Sequence, residues 1–350
     1  MSAAAAHIRW LEECDASSTS EVGGKCASLG ELISIGMAVP PGFAVTTGAH
    51  DAFLARHDVR EREAELLQAV DYDELKAVAQ ASERLRDLVE NLELPEETAA
   101  AVRDAYERLS DGADVAVAVR SSALAEDSAT ASFAGQLQTY LWVKGADAVV
   151  EHVRRCWSGF FTPEALSYRH RQGIAAQDAR MSVGVQRMVR ARSAGVLFTL
   201  NPVNGDRSKI VIESTWGLGE ALVSGEVDPD RFTVDKVTLD LLGTIVGGKQ
   251  VEHRPDPSGG GVVVSEVEAD RRSLRSLSDA EVVALARLGK AIERHAGRPQ
   301  DIEWAVDADT GDILVLQARA ETVWSQRERP PTVEKKGSAL EYVLADLLKR

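Results

Sequence analysis

The stretch Gln300-Asp301-Ile302-Glu303-Trp304-Ala305-Val306-Asp307 is followed, after Asp309-Thr310-Gly311, by Asp312-Ile313-Leu314-Val315-Leu316-Gln317-Ala318-Arg319. Both halves alternate polar and apolar residues with the period of two expected of half-buried strands, and Asp-Thr-Gly between them is turn chemistry. In the first strand Ile302, Trp304 and Val306 share one face, which leaves Asp301 and Glu303 together on the other. In the second, Leu314, Leu316 and Ala318 share a face opposite Gln317 and Arg319. Antiparallel pairing about Thr310 sets Asp301 across from Arg319 and Glu303 across from Gln317. A slip of one residue would scatter this polar set, whereas a slip of two would keep its face.

Two carboxylates, an amide and a guanidinium on one patch suit a metal-bound polyphosphate. Glu303 and Gln317 offer the hard oxygens that Mg²⁺ prefers, and that ion readily shares its shell with phosphates. Arg319 could grip a phosphate through its planar fork. On pattern alone, the same residues also suit the solvated face of an ordinary hairpin with one exposed ion pair.

The 350 residues suffice for two or three domains with real cores, and 44% hydrophobic with 27% charged residues is a globular composition. A net charge of -15 without a basic stripe argues against a nucleic-acid surface. An acidic protein that binds polyphosphate must concentrate its cations locally and recruit metal, in keeping with the hairpin. Cys14, Cys26 and Cys156 are scattered without a CxxC, which favours free thiols in a reducing compartment. No basic flank precedes an apolar core at the start and no window approaches a membrane span, so the expected location is the cytoplasm, with no membrane partner.

Upstream, Val22-Gly23-Gly24-Lys25 runs into a helix with Leu29, Leu32 and Ile33 at apolar spacing. A glycine pair opening a helix presents backbone N–H groups and a positive dipole end, with Lys25 at its mouth. Cys26 stands where a Walker A loop needs Ser or Thr. Pro40-Pro41-Gly42 turns into a buried strand, and 61–109 is helical in pattern. A strand over 115–119 ends in Arg120-Ser121-Ser122, well placed to meet an anion, and the small-residue loop through Gly135 could fold over a ligand. Lys25 and Arg120 read equally well as surface side chains on these local grounds. Trp157, Phe160 and Phe161 read as core. Met181 to Val189 alternates as a strand; others are expected at 194–199, 210–213, 231–235, 239–246 and 261–266, with a Pro/Gly-rich turn at 254–261. Trp216-Gly217-Leu218-Gly219 lacks the third glycine of a dinucleotide fingerprint but could carry a loop near a ligand. Gly243 to Lys249 has phosphate-loop spacing, yet Gln250 replaces Ser/Thr and no helix follows, so it is rejected. Ser278 caps a helix to about His295.

Together these segments resemble the nucleotide-binding domain of the PEP synthase / pyruvate phosphate dikinase family. The resemblance rests on Val22-Gly23-Gly24-Lys25, Pro40 to Phe43, Ala118 to Ser122, Ser132 to Gln136, Ala194 to Thr199, Glu213 to Gly225, Asp301-Ile302-Glu303 and Leu316 to Arg319, in the family's order over 8–320. It implies an α+β, ATP-grasp-like fold: two mixed α/β subdomains with the nucleotide in the cleft between them. The boundaries expected are 1–180 (with the helical insert), 181–325 carrying the hairpin, and 326–350 as linker and tail helix. The resemblance further implies that Lys25, Arg120 and Arg319 are catalytic and contact ATP phosphates. Gly135, Gln186, Thr199, Glu213 and Asp301 would complete the ATP site, and Glu303 and Gln317 would bind Mg²⁺.

Full-length members carry a swivelling phosphohistidine domain and an acceptor domain. His7, His50, His57, His152, His170, His253 and His295 all lie outside the former's signature, and no length remains for either. The expectation is therefore the ATP-binding subunit of a split dikinase, active with a larger subunit carrying the histidine and acceptor site. The family's split member, phenylphosphate synthase, suggests phenol as acceptor, with AMP, phosphate and phenylphosphate as products. The alternatives are the ATP-binding part of a PEP synthase, pyruvate phosphate dikinase or rifampicin-type antibiotic phosphotransferase, or a non-catalytic nucleotide-sensing subunit.

Overall fold

The computed structural model describes residues 7–324 except 124–126, 129–130, 133–138, 175–179 and 258. Gly135 and the expected tail helix lie outside the described residues. The strands in chain order are β1 (Ile8–Trp10), β2 (Gly42–Val45), β3 (Val117–Ala123), β4 (Asp127–Ser128), β5 (Ala131–Ser132), β6 (Thr139–Val143), β7 (Met181–Arg187) and β8 (Ala191–Phe198). They continue with β9 (Lys209–Trp216), β10 (Asp230–Asp235), β11 (Leu241–Ile245), β12 (Val251–Pro255), β13 (Val262–Glu266), β14 (Gln300–Asp307) and β15 (Ile313–Ala320). One sheet has the order β1-β2-β7-β3-β6 and the other β11-β10-β9-β8-β14-β15; β12 and β13 pair as a separate hairpin, as do β4 and β5.

The two sheets have separate cores. In the first, amphipathic helices bury one stripe each against the strands: Leu75–Glu90 contributes Val78, Ala81, Leu85 and Val89 at helical spacing. Of these, Val78, Leu85 and Val89 join Phe43, Phe53, Val119, Trp157, Phe161, Val183 and Val185. The second core joins Leu197, Ile212, Phe232, Ile302, Trp304 and Val306 of the strands to Val282 and Leu285 of helix Asp279–Ala296. That helix starts in a capping box made by Ser278 and Glu281. Leu29 and Leu32 of helix Thr19–Ser34 also belong to this second core, although the helix precedes every strand of the second sheet.

Three expectations need correction. Met181–Arg187, placed at the start of the second subdomain, pairs with β2 and β3 inside the first sheet. Its near-continuous burial explains the misreading, because alternation carries no sheet address. The hairpin has the expected partners Asp301 with Arg319 and Glu303 with Gln317, but its register then shifts so that Trp304 faces Val315. This bulge turns Val315 into the core, while Leu316 joins the opposite, cleft face with Gln317 and Arg319. Finally, β12 runs through Arg254 and Pro255, the first two residues of the turn expected at 254–261.

Candidate nucleotide-binding site

The site begins at the glycine pair. Gly23 adopts φ 72° and ψ 169°, which breaks helix Thr19–Ser34 and restarts it at the following residues. A Cβ there would lie 1.9 Å from the Ser122 carbonyl oxygen, so only glycine fits. The Ser122 hydroxyl donates to Val22 O (2.8 Å) and accepts from Cys26 N (3.2 Å), clamping the kink to the end of β3. Lys25 Nζ donates to Ser121 O at 3.3 Å. Arg120, the residue before Ser121 on β3, lines the same cleft as Lys25.

Arg120 reaches the hairpin of the other sheet. Its Nη2 donates to Gln317 Oε1 at 2.8 Å and lies 3.5 Å from Glu303 Oε2, while Nη1 donates to Leu316 O at 3.3 Å. Arg319 Nε lies 3.5 Å from Asp301 Oδ2. Burial pushes the Asp301 carboxyl up to about 6, with Arg319 only partly opposing it, and its Oδ1 is buried without a hydrogen-bond partner. Ser28 Oγ donates to Ala318 O at 2.9 Å, tying the Lys25 helix to β15 as well.

Lys25, Arg120, Gln186, Asp301, Glu303, Gln317 and Arg319 line one cleft of about 720 Å³. Along β14 its wall passes from charged Asp301 and Glu303 to Ala305, which packs with Val189 and Ala194. Leu141, Met188, Leu218 and Leu222 add apolar surface. A cleft charged on one side and apolar on the other can hold a planar base and a polyphosphate together. Gln186 is buried, with Nε2 donating to Pro40 O at 3.3 Å.

Two expected residues do not line the cleft. Thr199 is fully buried and its Oγ1 accepts from Gln300 N at 2.8 Å, so it anchors the start of β14. Glu213 is across from Val196 on the cleft face of the sheet, but Arg231 engages its Oε1 through Nε (2.9 Å) and Nη2 (2.7 Å). The apolar lining carried no signal in the sequence beyond hydrophobicity. The exception is Leu218-Gly219-Glu220, in the stretch whose Gly217 and Gly219 point to a loop near a ligand, and which does form wall. The rejected loop is explained too: Lys249 is fully buried in an ion pair with Asp230, which also accepts from Ser276.

Two antiparallel sheets thus flank one cleft that is charged on one side and apolar on the other. Residues 19–339 match the pyruvate phosphate dikinase AMP/ATP-binding domain, and the chain belongs to that family. It is 41% identical to a probable phosphoenolpyruvate synthase of Staphylothermus marinus, covering 94% of this chain and 43% of the relative. It is 37% identical to the phosphoenolpyruvate synthase of Pyrococcus furiosus (89% and 43% covered) and 44% identical to a rifampicin phosphotransferase of a Streptomyces species (92% and 37% covered). The chain thus spans about two fifths of the length of these relatives. Among solved structures, D-alanyl-alanine synthetase A of Vibrio cholerae aligns over 69% of this chain and 54% of its own at 10% identity, with a TM-score of 0.24. No described helix is long and apolar enough to cross a membrane.

Proposed function

We propose that the cleft binds Mg-ATP and that its β,γ-pyrophosphoryl group passes to a histidine supplied from outside this chain, with AMP as the leaving group. The observation that carries the reading is the Arg120–Gln317 hydrogen bond, which closes a ring of charged side chains from both sheets around one cavity. Lys25, Arg120 and Arg319 would neutralise and align the phosphates, which is nearly all that phosphoryl transfer asks of a protein. Asp301 beside Arg319 would fix that guanidinium. Gln186 and the apolar wall would hold the base.

The oxygens of Glu303 and Gln317 fit a hard cation, and both face Arg120, which would share any phosphate bound to that cation. Among the described residues no three His, Cys, Asp or Glu side chains are arranged to hold a metal ion, so a magnesium ion here would draw its remaining ligands from phosphate and water. When bound it would supply charge neutralisation at the transferring group. No histidine lines this cleft among the described residues, in keeping with a nucleophile from a larger partner or a further domain.

The named activities of the relatives favour a phosphoenolpyruvate synthase, pyruvate phosphate dikinase or rifampicin-type phosphotransferase over the phenol acceptor expected from the sequence. Titration calorimetry with ATP and Mg²⁺ tests the site. Arg319→Ala should weaken ATP binding by about tenfold or more, as loss of a charge-assisted phosphate contact requires. ATP affinity unchanged in that variant would overturn its role. AMP–ATP isotope exchange upon adding a histidine-bearing partner would establish transfer, and binding without exchange would favour the sensing role.

A further inference from the structure

The β12–β13 hairpin belongs to neither sheet, and the proposed chemistry makes no use of it. It is nonetheless joined to the cleft wall. Leu218 N donates to His253 O at 2.9 Å, and Gly217 passes so close that an added Cβ would lie 2.4 Å from that oxygen. The His253 side chain is only 7% exposed and sits between two carboxylates. Nδ1 is 3.1 Å from Glu220 Oε2 and Nε2 is 3.0 Å from Glu226 Oε2. An ionised carboxylate only accepts, so both contacts are hydrogen bonds only when both ring nitrogens carry hydrogen. Glu220 opens the short helix Glu220–Val223, and Glu220, Leu222 and Val223 all line the nucleotide cleft.

We propose that His253 is a positioning residue: its imidazolium clasps Glu220 and Glu226, fixing a wall of the nucleotide cleft that it does not itself enter. The inference rests on the cleft being the ATP site. The other charged groups around the ring are few. Glu252, the preceding residue, is engaged by Arg271 at 3.4 Å, and β13 presents Val264 opposite His253. Asp114, Lys144 and His152 face it only across an open cavity. Burial draws the His253 pKa down, but the Glu226 and Glu220 carboxylates outweigh it and the net shift is upward. The hydrogen bond from His253 holds Glu226 below the usual carboxylate range. A raised pKa means that the clasp is complete below the ordinary histidine value and is lost as pH rises through the raised one.

The test is ATP affinity of the full chain and of His253→Gln, measured calorimetrically in steps from about pH 6 to about pH 9. Taking the ratio of the two at each pH cancels the nucleotide's own ionisation. The variant should bind about fivefold more weakly at the acid end, the scale of one ordinary hydrogen bond felt through the cleft wall, and equally at the alkaline end. Glu226→Gln should move the midpoint of the wild-type transition to lower pH, and this second variant carries the test if the first does not fold. A ratio constant with pH, or a midpoint that Glu226→Gln leaves in place, would overturn the inference while sparing the ATP site. Wild-type protein that binds no nucleotide at any pH would overturn both.

Discussion

Gly23→Ala is the sharpest test of how the two sheets are joined at the site. At φ 72° and ψ 169° the backbone is in a region open almost only to glycine, which costs an alanine about 1–3 kcal/mol. The new methyl would also meet Ser122 O at 1.9 Å, and that atom is main chain in a fully buried strand end that cannot swing aside. Overpacking of this kind adds about 1–3 kcal/mol, for a total of about 4 kcal/mol. Gly36→Ala is the control: its φ of 80° is similarly positive, but nothing lies within 4 Å of the added carbon. It should therefore lose only about 1 kcal/mol. Urea unfolding followed by circular dichroism measures both. Because relief of the clash would move Lys25 away from Arg120, Gly23→Ala should weaken ATP binding even where it remains folded, whereas Gly36→Ala should not. Equal stability losses in the two variants, with ATP affinity unchanged in both, would refute the reasoning.

Lys249→Met should destabilise the protein by about 3–5 kcal/mol in denaturant unfolding, because it strands the fully buried Asp230 carboxylate, and a loss below 1 kcal/mol would be inconsistent with that. Asp301 gives a pH signature. Its carboxyl is raised from 3.8 to about 6, so the folded state holds the proton more tightly and stability falls as pH rises through that interval. Asp301→Asn should remove about 3 kcal/mol of that decline, and parallel stability–pH curves for the two proteins would exclude it.

The hairpin's partners were legible because alternation with a tight turn leaves few registers that bury Ile302, Trp304 and Val306. The bulge after Glu303 was not, since an extra residue on one strand leaves the composition of both faces plausible. Lys25 and Arg120 could be singled out by their place at a helix opening and a strand end. Their joining through Ser122 depends on residues 96 and 100 positions apart in the chain, a separation no local pattern encodes. Thr199 and Glu213 bond to Gln300 and Arg231, 101 and 18 positions away, and such distant partners are equally invisible to a local pattern. β12 and its histidine went unread because Pro255 and the glycines after it signal a turn more strongly than Val251 to Arg254 signal a strand.

Helix Thr19–Ser34 has a consequence for how the molecule is made. Leu29 and Leu32 complete a core whose other walls, among them Leu197, Phe232 and Trp304, come from much later in the chain. On the ribosome this apolar stripe must wait, uncovered, until Trp304 and its neighbours have emerged, so a product truncated before them would be a natural client for chaperones and proteases. The same arrangement means that neither half could be expressed as an independent, well-behaved unit by cutting between the sheets.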